Sequence, residues 1–171
     1  MIRSAALCLL LLSGACQRVA EPPAEEPSES DTRGQVQRYV FGTTDGEELS
    51  AEGMRGRVTV LLFVTTFDLA SQMAAKQLDQ VLHTHTPRIN AGAVVLEAPK
   101  YAPLADVFRS SLQLSYPVAI ADLALLTQNS TLGEVRSVPT LIIFDAQGRE
   151  VLRQYGAFSN EELDAWLTRA R

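Results

Sequence analysis

Three observations predict an α/β/α sandwich with a mixed central sheet, an N-terminal hairpin and a C-terminal helix. Apolar runs rich in β-branched residues, such as Val58 to Val64, alternate with stretches whose apolar residues recur at three and four. Taken in order these segments read β, βα, βα, ββ, α, which sets helices against a sheet that a late hairpin completes. The 171 residues are 46% hydrophobic and 20% charged, enough to fill a core on both faces of such a sheet within one domain.

The chain opens with a segment that does not belong to that fold. A basic start at Arg3, an apolar core from Ala5 to Leu12 and small residues before Cys16 make residues 1–15 a secretory signal. Leu12-Ser13-Gly14-Ala15-Cys16 resembles a bacterial lipobox, although Ser13 stands where that pattern has its leucine. The resemblance implies cleavage before Cys16, lipid on its sulfur, and a partner in the membrane surface. A signal cut elsewhere, leaving Cys16 as a lone thiol, is the other reading. Residues 16–35 hold three prolines and five acids after the cysteine and little to bury, so they are expected to form a disordered, extended tether. By resemblance to Gram-negative lipoproteins, Gln17 in place of an aspartate favours the outer membrane. The expected location is therefore the bacterial envelope, lipid-anchored and facing the periplasm.

The domain is expected over residues 36–171. Val36 to Phe41 reads as a short strand, Thr43-Thr44-Asp45-Gly46 as a turn, and Glu47 to Leu49 as the returning strand. A loop or helical turn over Ser50 to Gly56 leads to the central strand, Arg57 to Val64. Asp68 then fits the N-cap of a helix running to about His83, with Leu69, Met73, Leu78, Val81 and Leu82 on its buried face. Ala91 to Ala98 is a buried strand candidate. Tyr101, Leu104, Ala105, Phe108 and Leu112 mark a second amphipathic helix. Tyr116 to Asp122 is extended, and Leu123 to Gln128 makes a helical turn or two. Thr140 to Asp145 and Arg149 to Gly156 form a hairpin around Ala146-Gln147-Gly148. In the last helix Ser159 and Glu162 make a capping box, with Phe158 and Leu163 at the staple positions.

Several functions are disfavoured at once. A formal charge of −5 and a pI near 5.0 give no basic surface for nucleic acid. No run reaches the ~20 apolar residues of a membrane span. His83 and His85 are read as a solvated helix end, since no further ligand set stands out, and neither a metal nor a cofactor is expected. The only cysteines are Cys8 and Cys16, so cleavage and lipidation at Cys16 would remove every free thiol.

The segments Asp45-Gly46-Glu47-Glu48-Leu49-Ser50 with Met54-Arg55-Gly56-Arg57-Val58, then Phe63 to Gln72, then Arg136-Ser137-Val138-Pro139-Thr140 through Arg149, occur in one order and spacing. From about Val36 to Arg169 they resemble thioredoxin-fold proteins of the TlpA/redoxin type. That resemblance implies a thioredoxin-like fold, a cis peptide before Pro139, and thiol–disulfide exchange at the strand-to-helix junction. Exchange needs a thiolate to attack a disulfide sulfur. Here Asp68 stands at the nucleophile position and Ser71 at that of the resolving cysteine. Leu62 replaces the family's buried acid, and Phe67 its tryptophan. Peroxidase chemistry fails for want of the same thiol, and a Ser71 hydrolase lacks a base nearby in sequence.

The expectation is a site with no catalytic residue, in which Asp68 caps the helix. A helix N-terminus that favours a thiolate favours a carboxylate equally. Phe67, Asp68, Val138, Pro139 and Thr140 are candidates for a shallow groove that holds an extended peptide; Pro139 as a relic is the alternative. Three functional readings follow. One is a redox-inactive binding or scaffold module, another the oxidoreductase or peroxidase that the resemblance alone would suggest. The third is a subunit that recruits a cysteine-bearing partner.

Overall fold

The computed structural model describes residues 33–171, so the expected signal at 1–15, lipidation at Cys16 and all but the last three tether residues lie outside it. The order of elements is β1 (Val40–Gly42), β2 (Glu48–Ser50), β3 (Thr59–Val64), α1 (Leu69–Thr84), β4 (Asn90–Val95) and, after a 3-10 turn at Pro99–Tyr101, α2 (Ala102–Ser111). There follow β5 (Val118–Ile120), α3 (Leu123–Leu126), β6 (Thr140–Phe144), β7 (Glu150–Tyr155) and α4 (Asn160–Arg169).

β1 and β2 form a separate antiparallel hairpin. The five-stranded sheet has the order β5-β4-β3-β6-β7, parallel among β3, β4 and β5 and antiparallel through β6 and β7. β3 is central and all six of its residues are buried, as its unbroken apolar run requires. Its alternate side chains feed two cores. Val60, Leu62 and Val64 pack with α1, α2 and α4, while Leu61 and Phe63 pack with the hairpin and α3. The hairpin presses so closely on the second face that a Cβ at Gly92 would lie 2.6 Å from Leu49 Cδ2.

The elements agree with the expected order, and the differences have local causes. The strand expected from Val36 begins at Val40; Val36 itself makes only a single bridge to Arg149. The chain is already bonded before Val36, since Gly34 N–H donates to Glu150 O at 2.8 Å.

The face assigned to α1 is half wrong. Leu69 is 69% exposed and Met73 57% exposed, whereas the helix buries Ser71, Ala74, Ala75, Leu78 and Val81. Small residues let it lie close to the sheet, and a reading that counted only large side chains misplaced its rotation by part of a turn. In α2 the same error is milder: Ala105 and Phe108 are buried while Tyr101 and Leu104 are nearly half exposed.

His85 is no solvated helix end. Its ring is buried, with Nδ1 2.6 Å from Asp164 Oδ1 of α4, and Arg171 Nη2 lies 3.3 Å from Nε2. His83 is exposed and sits 3.7 Å from Asp79 Oδ2. Among the described residues no helix is long and apolar enough to cross a membrane.

Candidate functional site

β3 runs parallel to β4 and antiparallel to β6, with Phe63 opposite Thr140 as the last registered pair. The end of β3, the start of α1, the end of β4 and the start of β6 therefore share one end of the sheet. Topology alone thus brings Phe67, Asp68 and Ser71 to the same end as Val138, Pro139 and Thr140.

Asp68 leaves the strand in an extended conformation (φ −92°, ψ 125°) and caps α1. One of its oxygens, Oδ2, accepts from Ser71 N–H and from Ser71 Oγ–H, both at 2.8 Å. These two bonds, the hydroxyl's first and the amide's second, hold the carboxyl below its usual range against a small opposing effect of desolvation. The anion expected at the helix start is thus present as a carboxylate. Ser71 is fully buried, and its oxygen also accepts from Thr65 N–H at 3.3 Å. Its hydroxyl is committed in both directions. His83 of α1 and His85 at its C-cap lie a dozen or more residues along, ~18 Å or more away at 1.5 Å per residue. No general base therefore reaches Ser71 from either of them.

A residue that sequence reasoning missed completes the site. Glu97, just past β4 and 9% exposed, accepts at Oε1 from Thr66 N–H at 2.7 Å and Thr66 Oγ1–H at 2.6 Å. Gln72 Nε2 donates to Thr66 O at 3.1 Å. The only hint in the sequence was one acid closing an otherwise apolar run, Ala91 to Ala98. Leu62 is wholly buried among carbon and carries no acid into the core from β3. The nearby carboxylate comes from the neighbouring strand instead, and it fastens backbone.

The junction loop is therefore pinned at Thr65, Thr66 and Asp68, and between them Phe67 projects into solvent, 81% exposed. Thr65 Oγ1 is buried without a hydrogen-bond partner. Across this end of the sheet, the Val138–Pro139 peptide is cis. Val138 is half-buried, while Pro139 and Thr140 are buried. Thr140 Oγ1 donates to Ser137 O at 2.5 Å, and Gly156 N–H donates to Pro139 O at 2.8 Å. Of the five groove candidates, Phe67, Asp68 and Val138 reach the surface, while Pro139 and Thr140 are buried. Chemically, the site offers an aromatic knob, a fixed anion and the short backbone segment that leads into β6.

A thioredoxin-like domain model matches residues 112–171. No curated protein matches the chain. Among solved structures, a thioredoxin-family thiol:disulfide interchange protein of Chlorobium tepidum TLS is similar, with 18% identity over 79% of this chain and 94% of that one and a TM-score of 0.68. The exposed lipoprotein thioredoxin Etrx1 of Streptococcus pneumoniae is 18% identical over 77% of this chain and 98% of its own, with a TM-score of 0.64. A secreted disulfide oxidoreductase of Mycobacterium tuberculosis is also 18% identical, over 77% of this chain and 95% of its own, with a TM-score of 0.62. The chain has the thioredoxin fold.

Proposed function

We propose that this is a redox-inactive thioredoxin-like lipoprotein of the bacterial envelope that binds an extended peptide or protein segment, as a binding or scaffold module. The observation that carries the reading is the pair Asp68–Ser71. Where exchange needs two sulfurs, two oxygen side chains are bonded to each other and to the backbone. Neither forms a disulfide, and every residue from 33 to 171 lacks a thiol. Fold alone does not transfer the chemistry.

The binding half rests on presentation. Phe67 stands 81% exposed on a loop fixed by four hydrogen-bonded groups, so little loop freedom is lost when a partner covers it. Pro139 O is used by Gly156, which leaves Val138 as the backbone for an extended segment to pair with. An anchor on Cys16, at the head of the acidic, proline-rich segment, would hold the module at the membrane; secreted and exposed similar structures accord with that location. The competing reading, a thiol–disulfide oxidoreductase or peroxidase, draws on what those similar structures are called.

The test is a backbone NMR titration of the full chain with unfolded-protein peptides. Saturable shifts at Phe67 and Val138 are expected, reduced in Phe67→Ala. Shifts spread evenly over the surface, or none, would overturn the groove.

A further inference from the structure

The end of the sheet opposite Phe67 and Pro139 is built from the starts of β3, β4 and β7 and the end of β6. There Thr59 pairs with Asn90 and with Phe144, and Phe144 pairs with Glu150. Its loops are tied together: Gly56 N–H donates to Ala146 O at 2.9 Å, Asn90 Nδ2 to Met54 O at 2.7 Å, and Gly34 N–H to Glu150 O at 2.8 Å. Residues 33–36, 51–58, 85–89 and 145–149 supply five arginines here, Arg33, Arg55, Arg57, Arg88 and Arg149, all exposed. Against them stand two acids, Glu52 and Asp145, and Asp145 already accepts from Arg149 Nε at 2.9 Å. The rest of residues 33–171 has the opposite balance, eight lysines and arginines to thirteen acids. The domain is thus nearly neutral in total but unevenly charged, with its positive charge gathered at one end.

We propose that residues 21–31 of the same chain lie across this arginine end as its intramolecular partner. That segment carries five acids, Glu21, Glu25, Glu26, Glu29 and Asp31, and no base. It joins the domain at Arg33, which bridges Glu150 at the start of β7. From there the arginines follow the strand order β7, β6, β3, β4. Four steps of ~4.8 Å place Arg88, ahead of β4, roughly 19 Å from Arg33. The twelve residues from Glu21 to Arg33 reach up to ~40 Å, so the segment is long enough to cross the whole end.

Charge and attachment together select this occupant. The remaining surface carries an excess of acid and repels the segment, so attraction is confined to the end where the segment is joined. The covalent link holds its acids beside the arginines at high effective concentration, ahead of any separate anion. Pro22, Pro23 and Pro27 each fix φ, which reduces the freedom the segment loses on docking. Exposed ion pairs are individually weak and are screened by salt, so the contact is expected to open as ionic strength rises. Where Cys16 carries an anchor, the contact sets the arginine end toward the membrane and the Phe67 end away from it. That consequence alone rests on the lipoprotein reading.

The test is paramagnetic relaxation NMR on the mature chain with Cys16→Ser, carrying a nitroxide at Ser28→Cys. Broadening is expected at the Arg55, Arg57 and Arg88 amides. It should fall about threefold or more in ~1 M NaCl, and equally when Glu25→Gln, Glu26→Gln and Glu29→Gln are combined. Arg55→Glu with Arg57→Glu, both at exposed positions, should weaken it in the same way. Unshifted amide peaks in the rest of the domain report that each variant keeps its fold. Broadening confined to the neighbours of Arg33 and indifferent to salt and to the glutamine substitutions overturns the proposal, as does broadening spread evenly over the domain. So does its loss when vesicles of phosphatidylcholine and phosphatidylglycerol in equal parts are added at low salt, which would assign the arginines to anionic lipid. Peptide binding at the Phe67 end is read from other amides, so either reading can fail alone.

Discussion

Replacing Glu97 tests whether the junction loop is held as described. The carboxylate accepts two short bonds from one residue, Thr66, and is 9% exposed. Glu97→Ala removes both acceptors and leaves a partly buried backbone N–H without one. A hydrogen bond to a charged group contributes roughly 1.5–3 kcal/mol, and an orphaned donor costs about 1–3 kcal/mol. These overlap rather than add, and Thr66 is near enough to the surface for water to satisfy its hydroxyl, so a loss of about 2–3 kcal/mol is expected. Glu97→Gln keeps an amide oxygen at the same place without the charge and should lose about 1 kcal/mol. At roughly 3–4 °C per kcal/mol for a domain of this size, the alanine variant melts about 6–12 °C lower. Differential scanning calorimetry gives the global number, and hydrogen exchange gives the local one. The Thr66 amide should lose protection in Glu97→Ala and retain most of it in Glu97→Gln. Wild-type melting in both variants, with Thr66 still protected, would refute the account of the loop.

Other outcomes follow from the same geometry. Gly92→Ala drives a methyl to within 2.6 Å of Leu49 Cδ2, so the buried Leu49 side chain must change rotamer or the hairpin shift; chemical denaturation should show a loss of about 1–3 kcal/mol, and an unshifted midpoint would refute the close approach. Asp79 is buried, which alone would raise its pKa, but bonds from Ser115 and the nearby Lys76 and His83 charges leave it below the usual value. A carboxyl lowered in the folded state stabilises above its unfolded pKa, ~3.9, and that contribution is lost as pH falls through the folded value. Asp79→Asn should therefore be less stable than wild type at neutral pH and show a shallower acid-induced loss below about pH 4, read from urea midpoints across the acid range. Asp68→Ala should lower the melting temperature and free the Ser71 amide to exchange, whereas Asp68→Asn, which keeps an acceptor, should do less of both.

How far the sequence carried these conclusions depended on side-chain size. β3 was legible because six consecutive apolar residues admit one reading in a covered sheet, and α4 because Ser159, Glu162, Phe158 and Leu163 sit at fixed capping offsets. The site was legible as a local string: Asp68 caps α1, and the peptide before Pro139 is cis. The rotation of α1 was not, because its buried face is made by Ala74, Ala75 and Ser71, which carry no hydrophobic signal stronger than that of the exposed Leu69 and Met73. Nor was the role of Glu97, whose partner Thr66 lies 31 residues back along the chain. Only strand pairing between β3 and β4 brings the two together. His85 was misread for the same reason, as its partner Asp164 belongs to the last helix. Pairings across that distance are fixed by topology and leave no periodic trace.

The most direct test of the central claim is dithiol-dependent insulin reduction by the purified mature protein, with Cys16→Ser beside it, in the absence of other cysteine-containing proteins. The bonded Asp68–Ser71 pair predicts no turnover above the dithiol alone, at any protein concentration, and the same for hydrogen peroxide. Turnover proportional to protein would contradict it.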